Sequence, residues 1–383
     1  MKIARIECFP LKIRPKDAYL GGASGGNLPD YYYRPEYRCV YSRKMETCLV
    51  KITTDDGVYG WGEALSPVVP GIVATIVTEL FTPLLVGQNP QSHNLLWSKM
   101  YDSMRDRGHT TSFMLDAVAA VDTALWDIKA KAAGVPLAEL LGGPYRTAIP
   151  AYVSGLPKPT PEERIELALS WKEKGFTAIK GAFGYGVRED IDNLSGLRDA
   201  LGSGFELYLD AHWNYSVAEA VRLSHALEAV GIGFLEAPLS PEDVAGHTEL
   251  RQKTRIPVAL GEADRTRFQF QRFFDARAVD IVQPDVGRVG VTETMRIGYQ
   301  AETHNLHIAP HLSVGLGPCI AASIHVAAAL PNTFKLEYQP PVFELANSLL
   351  QKPLICSKGV FQVPEGPGLG IEIDEEVLPH HKD

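Results

Sequence analysis

The sequence lacks the apolar runs that would carry a chain into or across a membrane. No stretch approaches the ~20 apolar residues that a transmembrane helix needs. Residues 1–7 carry charges where a signal peptide has its apolar segment. We therefore expect no export and a cytoplasmic location.

The sequence is also poor in cysteine and has no cysteine motif. The cysteines are odd in number, and none stands in a C-x-x-C pair. This pattern favours buried, reduced thiols over a disulfide framework. The residues concerned are Cys8, Cys39, Cys48, Cys319 and Cys356.

Positive charge is scarce and scattered. Lysine and arginine number 37 against 46 acidic residues, which gives a net charge of −9 without a basic stripe. Nucleic acids and anionic membranes are therefore not expected as partners. A small anionic substrate is still compatible with the negative net charge, because charges beyond about 8–10 Å are screened while a local cation acts at contact.

The length points to more than one structural unit. The 383 residues suit a barrel of roughly 200–250 residues together with a second unit. The apolar fraction of 45% is that of a globular enzyme and can fill a large core.

The first third of the sequence reads as an α+β unit. Strands are predicted at 3–12, 46–54 and 58–63, with a hairpin turn at Asp55-Asp56-Gly57 between the last two. A glycine- and tyrosine-rich loop at 15–38 is long enough to serve as a lid, although such loops are also often disordered. Helical periodicity follows at 69–85, 90–105 and 111–133.

From about residue 149 the pattern alternates between strand and helix. This alternation predicts a parallel barrel whose chemistry lies at the carboxyl ends of its strands. A different count of the first strand would give seven helices. The predicted strands are 149–154, 177–182, 205–210, 232–236, 256–261, 279–283, 306–310 and 333–337. Predicted helices include 161–175, 188–201, 216–230 and 290–304.

Three carboxylates recur at a fixed interval within this pattern. Asp210, Glu236 and Glu262 are 26 residues apart, and each closes a short apolar run. A strand, a helix and two loops take about that length, so the three side chains are expected to meet at the barrel rim. Carboxylate oxygens are hard ligands that suit Mg²⁺. The alternative is that each carboxylate caps the following helix.

The interval resumes with a second set of polar groups. Asp285, His311 and Glu337 are again 26 residues apart at the ends of apolar runs. Neighbouring strands would bring Asp285 within hydrogen-bond reach of His311, orienting the imidazole and raising its basicity. A histidine taken at random is more often a core or surface residue, so the placement at a strand end carries this assignment.

These residues, in this order, resemble the enolase superfamily and specifically its mandelate racemase-like subgroup. The resemblance covers essentially the whole chain. Supporting strings are Gly60-Trp-Gly-Glu63, Ala124-Leu-Trp-Asp-Ile-Lys129 and Leu140-Leu-Gly-Gly143.

The resemblance implies a modified TIM barrel, (β/α)7β, with an α+β capping domain. The expected divisions are a capping part at 1–135, the barrel at 136–340 and a C-terminal segment at 341–383 that returns to the cap. The resemblance further implies Mg²⁺ on the three carboxylates, a base that removes the proton α to a substrate carboxylate, and a homo-oligomer. Glu337 would hydrogen-bond the substrate carboxylate, which implies a shared or retained proton on Glu337.

The second strand departs from the subgroup pattern. The subgroup carries Lys-x-Lys there, whereas this chain has Lys180 followed by Ala182. Ala182 cannot move a proton, which argues against racemisation between opposed Lys and His bases. Lys180 is expected to bind the substrate carboxylate, the alternative being a lysine that extends to solvent from a strand end.

A histidine on the third strand offers a replacement. His212 lies two residues after Asp210 and resembles the histidine that protonates the departing hydroxyl in family dehydratases acting on galactonate and mannonate. A near-neutral imidazole suits general-acid help to a poor leaving group. Alternatively, His212 only hydrogen-bonds substrate or backbone.

Together these features predict an acid-sugar dehydratase. His311 would remove the C2 proton, and His212 would assist loss of the C3 hydroxyl, giving a 2-keto-3-deoxy acid. Tyr19 and Arg34 in the lid loop are expected to contact the substrate. The alternatives are a racemase or epimerase that uses the same enediolate, and a non-catalytic sugar-acid binder.

Overall fold

The computed structural model describes residues 1–15 and 29–378 of the chain. Its N-terminal part, the cap, contains an antiparallel sheet of β1 (Ile3–Ile13), β4 (Met45–Thr54) and β5 (Tyr59–Ala64) in the order β1-β4-β5. The predicted hairpin turn joins β4 to β5, and Gly57 takes the positive φ of +87° that the turn requires.

A second antiparallel pair lies in the region predicted as a lid loop. The strands β2 (Tyr31–Arg34) and β3 (Cys39–Ser42) form a hairpin, here called the cap hairpin. The prediction of a loop over 15–38 was therefore wrong for β2, whose pairing partner lies beyond the predicted loop. Residues 16–28, with Tyr19, lie outside the described residues.

The helices of the cap cover one face of its sheet. Gly134 ends the longest of them in a left-handed conformation with φ +72°, directly after the predicted helix at 111–133. The helical segments are α1 (Gly71–Thr75), a π-helical turn (Ile76–Phe81), α2 (Thr82–Leu85), α3 (His93–Arg105), α4 (Phe113–Ala133) and α5 (Leu137–Leu140).

The second part is a closed barrel of eight parallel strands. Neighbouring strands pair in chain order, and the ring closes where the last strand pairs with the first. A bridge between Ile308 and Thr333 joins the seventh strand to the segment entering the eighth. The strands are β6 (Ala148–Ser154), β7 (Ala178–Ala182), β8 (Glu206–Asp210), β9 (Ile232–Glu236), β10 (Val258–Leu260), β11 (Ile281–Val282), β12 (His307–Ile308) and β13 (Leu336–Tyr338).

Seven helices connect the eight strands, one in each interval. The (β/α)7β prediction is therefore confirmed. Capping boxes begin two of the helices, at Thr160 with Glu163 and at Ser216 with Glu219. The helices are α6 (Pro161–Glu173), α7 (Val187–Leu201), α8 (Val217–Val230), α9 (Val244–Lys253), α10 (Arg267–Ala276), α11 (Val286–Thr303) and α12 (Pro318–Ala329).

The C-terminal segment touches both parts of the molecule. It comprises α13 (Pro340–Asn347), β14 (Cys356–Ser357) and β15 (Val360–Gln362), and β15 pairs with the barrel strand β6. The segment also reaches the cap at Glu372, which accepts a 2.8 Å hydrogen bond from Tyr59. The exact domain divisions at 135/136 and 340/341 stay a prediction.

Aromatic rings fill the interior of the barrel below its rim. Tyr152, Tyr208 and Phe234 are buried there, and the rings of Tyr208 and Phe234 stack with centroids 4.1 Å apart. The interior of the barrel is thus a packed core and not a channel. The candidate site residues lie above it, at the rim. No helix in the described part of the chain is long and apolar enough to cross a membrane.

Candidate active site at the barrel rim

The three equally spaced carboxylates lie side by side at the rim. Asp210 and Glu236 are the last residues of β8 and β9, and the two pair in register. Glu262 follows β10 by two residues. Because parallel strands end at the same edge, the 26-residue interval brings three acidic side chains to one place.

These carboxylates are buried and affect each other's protonation. Burial raises the pKa of Asp210 to about 7, and Glu262 adds to this while Lys180 opposes it. Burial likewise raises the pKa of Glu236 to about 7. Burial also acts upward on Glu262, but the adjacent His311 outweighs it and holds the pKa well below its usual range. Two of the three acids are therefore costly to keep ionised here.

Lys180 is the cation at the centre of this cluster. Its Nζ atom lies 2.8 Å and 2.9 Å from the two carboxylate oxygens of Glu236 and 2.9 Å from Glu337 Oε1. Burial lowers the pKa of Lys180, but Glu236 and Glu337 raise it well above its usual range. The reading of a lysine that extends to solvent is wrong, because the side chain is only 1% exposed. Ala182 pairs with Asp210 at the same rim.

His311 is held between two carboxylates. Its Nδ1 atom lies 2.6 Å from Asp285 Oδ2, and its Nε2 atom lies 2.9 Å from Glu262 Oε2. Burial lowers the pKa of His311, but Glu262 and Glu337 outweigh it and raise the pKa well above its usual range. The imidazole is thus oriented through Nδ1 and presents Nε2 to the cavity.

Glu337 faces His311 and Lys180 from the eighth strand. It also accepts a 3.0 Å hydrogen bond from the backbone of Leu312. Burial raises its pKa, but Lys180 and His311 lower it below the usual range. Glu337 is therefore charged beside Lys180 and His311, and a shared or retained proton in contact with a substrate carboxylate stays a prediction.

His212 reaches the same cavity from the third strand. Its backbone nitrogen donates to Asp210 Oδ1 at 2.9 Å, and its Nε2 atom stands 3.5 Å from Asp210 Oδ2. Burial lowers the pKa of His212 to about 4. The imidazole is thus neutral at pH 7, and its pKa lies below the near-neutral value expected for a general acid.

The cavity between cap and barrel has a volume of about 220 Å³. Among its lining residues are Lys180, Ala182, Asp210, His212, Glu262, His311 and Glu337, together with Tyr37 and Tyr41 of the cap. Arg34 lies behind these tyrosines, with its guanidinium 4.4 Å from the ring centroid of Tyr37. Contact of Arg34 with a substrate stays a prediction.

Some polar groups of the site were not predicted from the sequence, among them Gln283 and Ser154. Gln283 donates a 2.6 Å hydrogen bond to Glu236, and Ser154 hydrogen-bonds Glu337. The sequence spacing could have predicted both positions. Gln283 lies two residues before Asp285, on the same face of an extended chain, and Ser154 lies 26 residues before Lys180.

The chemistry of the donor set fits a divalent cation. Asp210, Glu236 and Glu262 supply oxygen ligands, and a bound cation would stabilise the charged forms of Asp210 and Glu236, which burial disfavours. In residues 1–15 and 29–378, however, no three side chains already stand in a coordinating arrangement. Glu236 and Glu262 face Lys180 and His311 instead, so a cation would take over their charge compensation.

Two family models match this chain. The model described as "Enolase C-terminal domain-like" matches residues 163–377, more than half of the sequence. The chain belongs to the enolase superfamily. The model described as "Mandelate racemase / muconate lactonizing enzyme, N-terminal domain" matches residues 38–142. The protein is therefore an enzyme of the mandelate racemase-like subgroup, as the sequence motifs predicted.

Curated relatives are similar over most of their length. D-galactarolactone cycloisomerase of Agrobacterium fabrum is 36% identical and covers 86% of this chain and 89% of the relative. D-galactonate dehydratase of Cronobacter sakazakii is 34% identical, with 85% and 88% covered. Arabinonate dehydratase of Saccharolobus solfataricus is 32% identical, with 88% and 91% covered. All three names refer to sugar acids or their lactones.

Solved structures of superfamily members share the fold over the full chain. A member from Agrobacterium tumefaciens superposes with a TM-score of 0.93 at 36% identity, covering 99% of this chain and 98% of that one. The 3,6-anhydro-D-galactonate cycloisomerase of Zobellia galactanivorans gives a TM-score of 0.87 at 32% identity, with 100% of both chains covered. The cap and the barrel are thus both features of the superfamily.

Proposed function

We propose that the protein is a Mg²⁺-dependent acid-sugar dehydratase. It removes the proton α to the carboxylate of a sugar acid and eliminates the β-hydroxyl, giving a 2-keto-3-deoxy acid. The observation that carries this proposal is the presence of two imidazoles, His311 and His212, in one cavity with Ala182 at the second lysine position. The names of the two dehydratase relatives support it.

His311 is the base that takes the C2 proton, and it would lose the proton that Glu262 favours when Glu262 holds the cation. Its contact with Asp285 orients the ring and stabilises the imidazolium that forms. Asp210, Glu236 and Glu262 would hold Mg²⁺. When bound, the cation supplies positive charge next to the two negative charges of the enediolate, which is worth several kcal/mol.

Lys180 and Glu337 act on the substrate carboxylate. Lys180 already pairs with two carboxylates in the cavity, so a substrate carboxylate can replace one of them at the same ammonium group. Glu337 carries a negative charge and therefore needs its partner Lys180 when the anionic substrate binds. The substrate carboxylate therefore binds by taking the place of a protein carboxylate at Lys180.

His212 assists departure of the C3 hydroxyl. The imidazole is neutral at pH 7 in the structure because burial lowers its pKa to about 4. An anionic substrate next to the ring favours the protonated form. The proton needed by the leaving oxygen is thus acquired with the substrate, and the C3–O bond breaks as the oxygen takes up that proton.

The test is to incubate the protein and Mg²⁺ with a panel of aldonic and aldaric acids and to measure α-keto acid. His311→Asn is expected to abolish keto-acid formation and C2 deuterium exchange in D₂O. His109→Gln, on an exposed loop, is the matched control and should retain wild-type activity. C2 exchange with inversion and no keto acid would favour an epimerase, and binding without either signal would favour a sugar-acid binder.

A second candidate is an isomerase of cyclic sugar acids. It is favoured by the similarity to a D-galactarolactone cycloisomerase and to a 3,6-anhydro-D-galactonate cycloisomerase. Adding lactones and anhydro acids to the panel separates the two reactions. Turnover of cyclic acids alone would select the cycloisomerase over the dehydratase.

A further inference from the structure

The cap hairpin docks on the loop that carries His212. Asn214 donates a 2.7 Å hydrogen bond from its side chain to the backbone oxygen of Glu36. Arg38 donates a 2.5 Å hydrogen bond to the backbone oxygen of Trp213. These two bonds lie on either side of Tyr37 in the sequence, so they fix the turn of the hairpin directly against the loop after β8.

Tyr37 packs its ring on the imidazole of His212. The ring centroids are 4.0 Å apart and the ring planes are inclined by 34°. Aromatic rings usually pair at centroid distances of about 4.5–7 Å, so this contact is close. Tyr37 is 7% exposed, and the two rings therefore shield each other from water.

Among the described residues, the imidazole of His212 is not held by a hydrogen bond at Nε2, which stands 3.5 Å from Oδ2 of Asp210. Within the part of the chain that the structure describes, Nε2 of His212 is buried and has no hydrogen-bond partner. Its backbone is also under strain, since His212 and Trp213 have φ values of +48° and +61°. Non-glycine residues rarely adopt this conformation and persist in it where surrounding contacts hold them.

Tyr37 is itself held by neighbours on both the cap and the barrel. The guanidinium of Arg34 lies 4.4 Å from its ring centroid. Its hydroxyl stands 3.4 Å from the hydroxyl of Tyr185, in the loop after β7. The ring thus has a defined position, as a group that positions another side chain must have.

We infer that Tyr37 is a positioning residue that sets the imidazole of His212 for proton donation to the leaving oxygen. This inference rests on the proposed dehydratase function. In the reaction concerned, His311 takes the C2 proton and the C–H electrons form the enediolate, whose electrons then make the C2–C3 double bond. The C3–O bond electrons leave with the oxygen, which takes a proton from His212 to form water.

The test compares Tyr37→Leu with Tyr37→Phe, which keeps the ring and removes only the hydroxyl. In D₂O, with the best sugar acid of the panel, we expect Tyr37→Leu to lower the ratio of elimination to C2 deuterium exchange by roughly tenfold to a hundredfold. The phenylalanine variant should keep the wild-type ratio. A merely structural role would lower both rates together and leave this ratio unchanged, which would overturn the inference.

A second measurement needs no turnover. In ¹H–¹³C spectra of protein labelled at histidine Cε1, the His212 signal is assigned by its loss in His212→Gln. The signal should move downfield in Tyr37→Leu, because the ring above it is gone, and stay near its wild-type position in Tyr37→Phe. If no sugar acid is turned over, the dehydratase proposal fails, and an unmoved signal in Tyr37→Leu would separately refute the positioning of His212.

Discussion

The Nδ1 atom of His311 lies 2.6 Å from the Oδ2 atom of Asp285, and the same two residues form a parallel β-bridge. Backbone and side-chain contacts therefore both fix the position of His311 relative to Asp285. Asp285 is also held from the other side, because its Oδ1 atom accepts a 2.8 Å hydrogen bond from the backbone of Gly287. The base of the proposed reaction is thus oriented by a carboxylate that has little freedom of its own.

Asp285→Asn is expected to lower kcat for keto-acid formation about 10²–10⁴-fold, because an amide does not stabilise the imidazolium of His311. C2 exchange should fall by a similar factor. Asp275→Asn, at an exposed position of α10, serves as control. Wild-type rates in Asp285→Asn would show that the pair has no role in proton removal.

Lys180→Met should destabilise the protein in the absence of Mg²⁺. It leaves the buried carboxylates of Glu236 and Glu337 without their cation, and breaking such a buried pair costs about 3–5 kcal/mol. Mg²⁺ should reduce this loss, since it would compensate Glu236, one of the two carboxylates. Chemical denaturation with and without Mg²⁺ measures both values, and an equal loss in the two conditions would contradict a shared role.

Mg²⁺ should raise the Tm of the wild-type protein. A ligand that binds only the folded state at about 100 times its Kd contributes about 2.7 kcal/mol, which corresponds to several degrees. Glu236→Gln should lose most of this shift, whereas Glu249→Gln, exposed on α9, should keep it. A full shift in Glu236→Gln would remove Glu236 from the set of metal ligands.

Asp122 gives the stability a pH dependence that is separate from catalysis. It is buried between α4 and α11, where Thr292 donates hydrogen bonds of 2.8 Å and 2.6 Å to it, and burial raises its pKa to about 7. Between about pH 4 and pH 7, the folded protein keeps a proton that the unfolded chain has released. The free energy of unfolding therefore falls as the pH rises through this window.

Asp122→Asn should make that decline shallower, because the side chain no longer titrates. The measurement is the free energy of unfolding at several pH values across the window. Asp102→Asn, on an exposed face of α3, should follow the wild-type curve. A slope in Asp122→Asn as steep as that of the wild type would assign the pH dependence to other groups.

The sequence was sufficient for the order of the strands and for the backbone positions of the site. The period of 26 residues is a local property, because each repeat holds one strand, one helix and two loops of similar length. Barrel closure then follows from the number of strands. The shortest strands, β11 and β12, were predicted too long, since apolar runs continue beyond the residues that form ladder hydrogen bonds.

The partners of the charged side chains could not be predicted in the same way. Lys180 pairs with Glu236 and Glu337 because the barrel brings together three strands that are distant in the sequence. The spacing of these residues along the chain does not predict the pairing. The docking of Tyr37 on His212 is likewise a contact between cap and barrel. Such contacts depend on how the surfaces of the cap and the barrel pack against each other, which local sequence patterns do not predict.

The contact between Lys180 and Glu337 spans the seam of the barrel, where β13 closes the ring against β6. A partly folded chain that lacks the last strand would have the three acids but not this ion pair. Formation of the Lys180–Glu337 ion pair therefore requires closure of the ring. The Lys180–Glu337 ion pair is thus present only when the barrel is complete, and truncation before residue 336 should remove it.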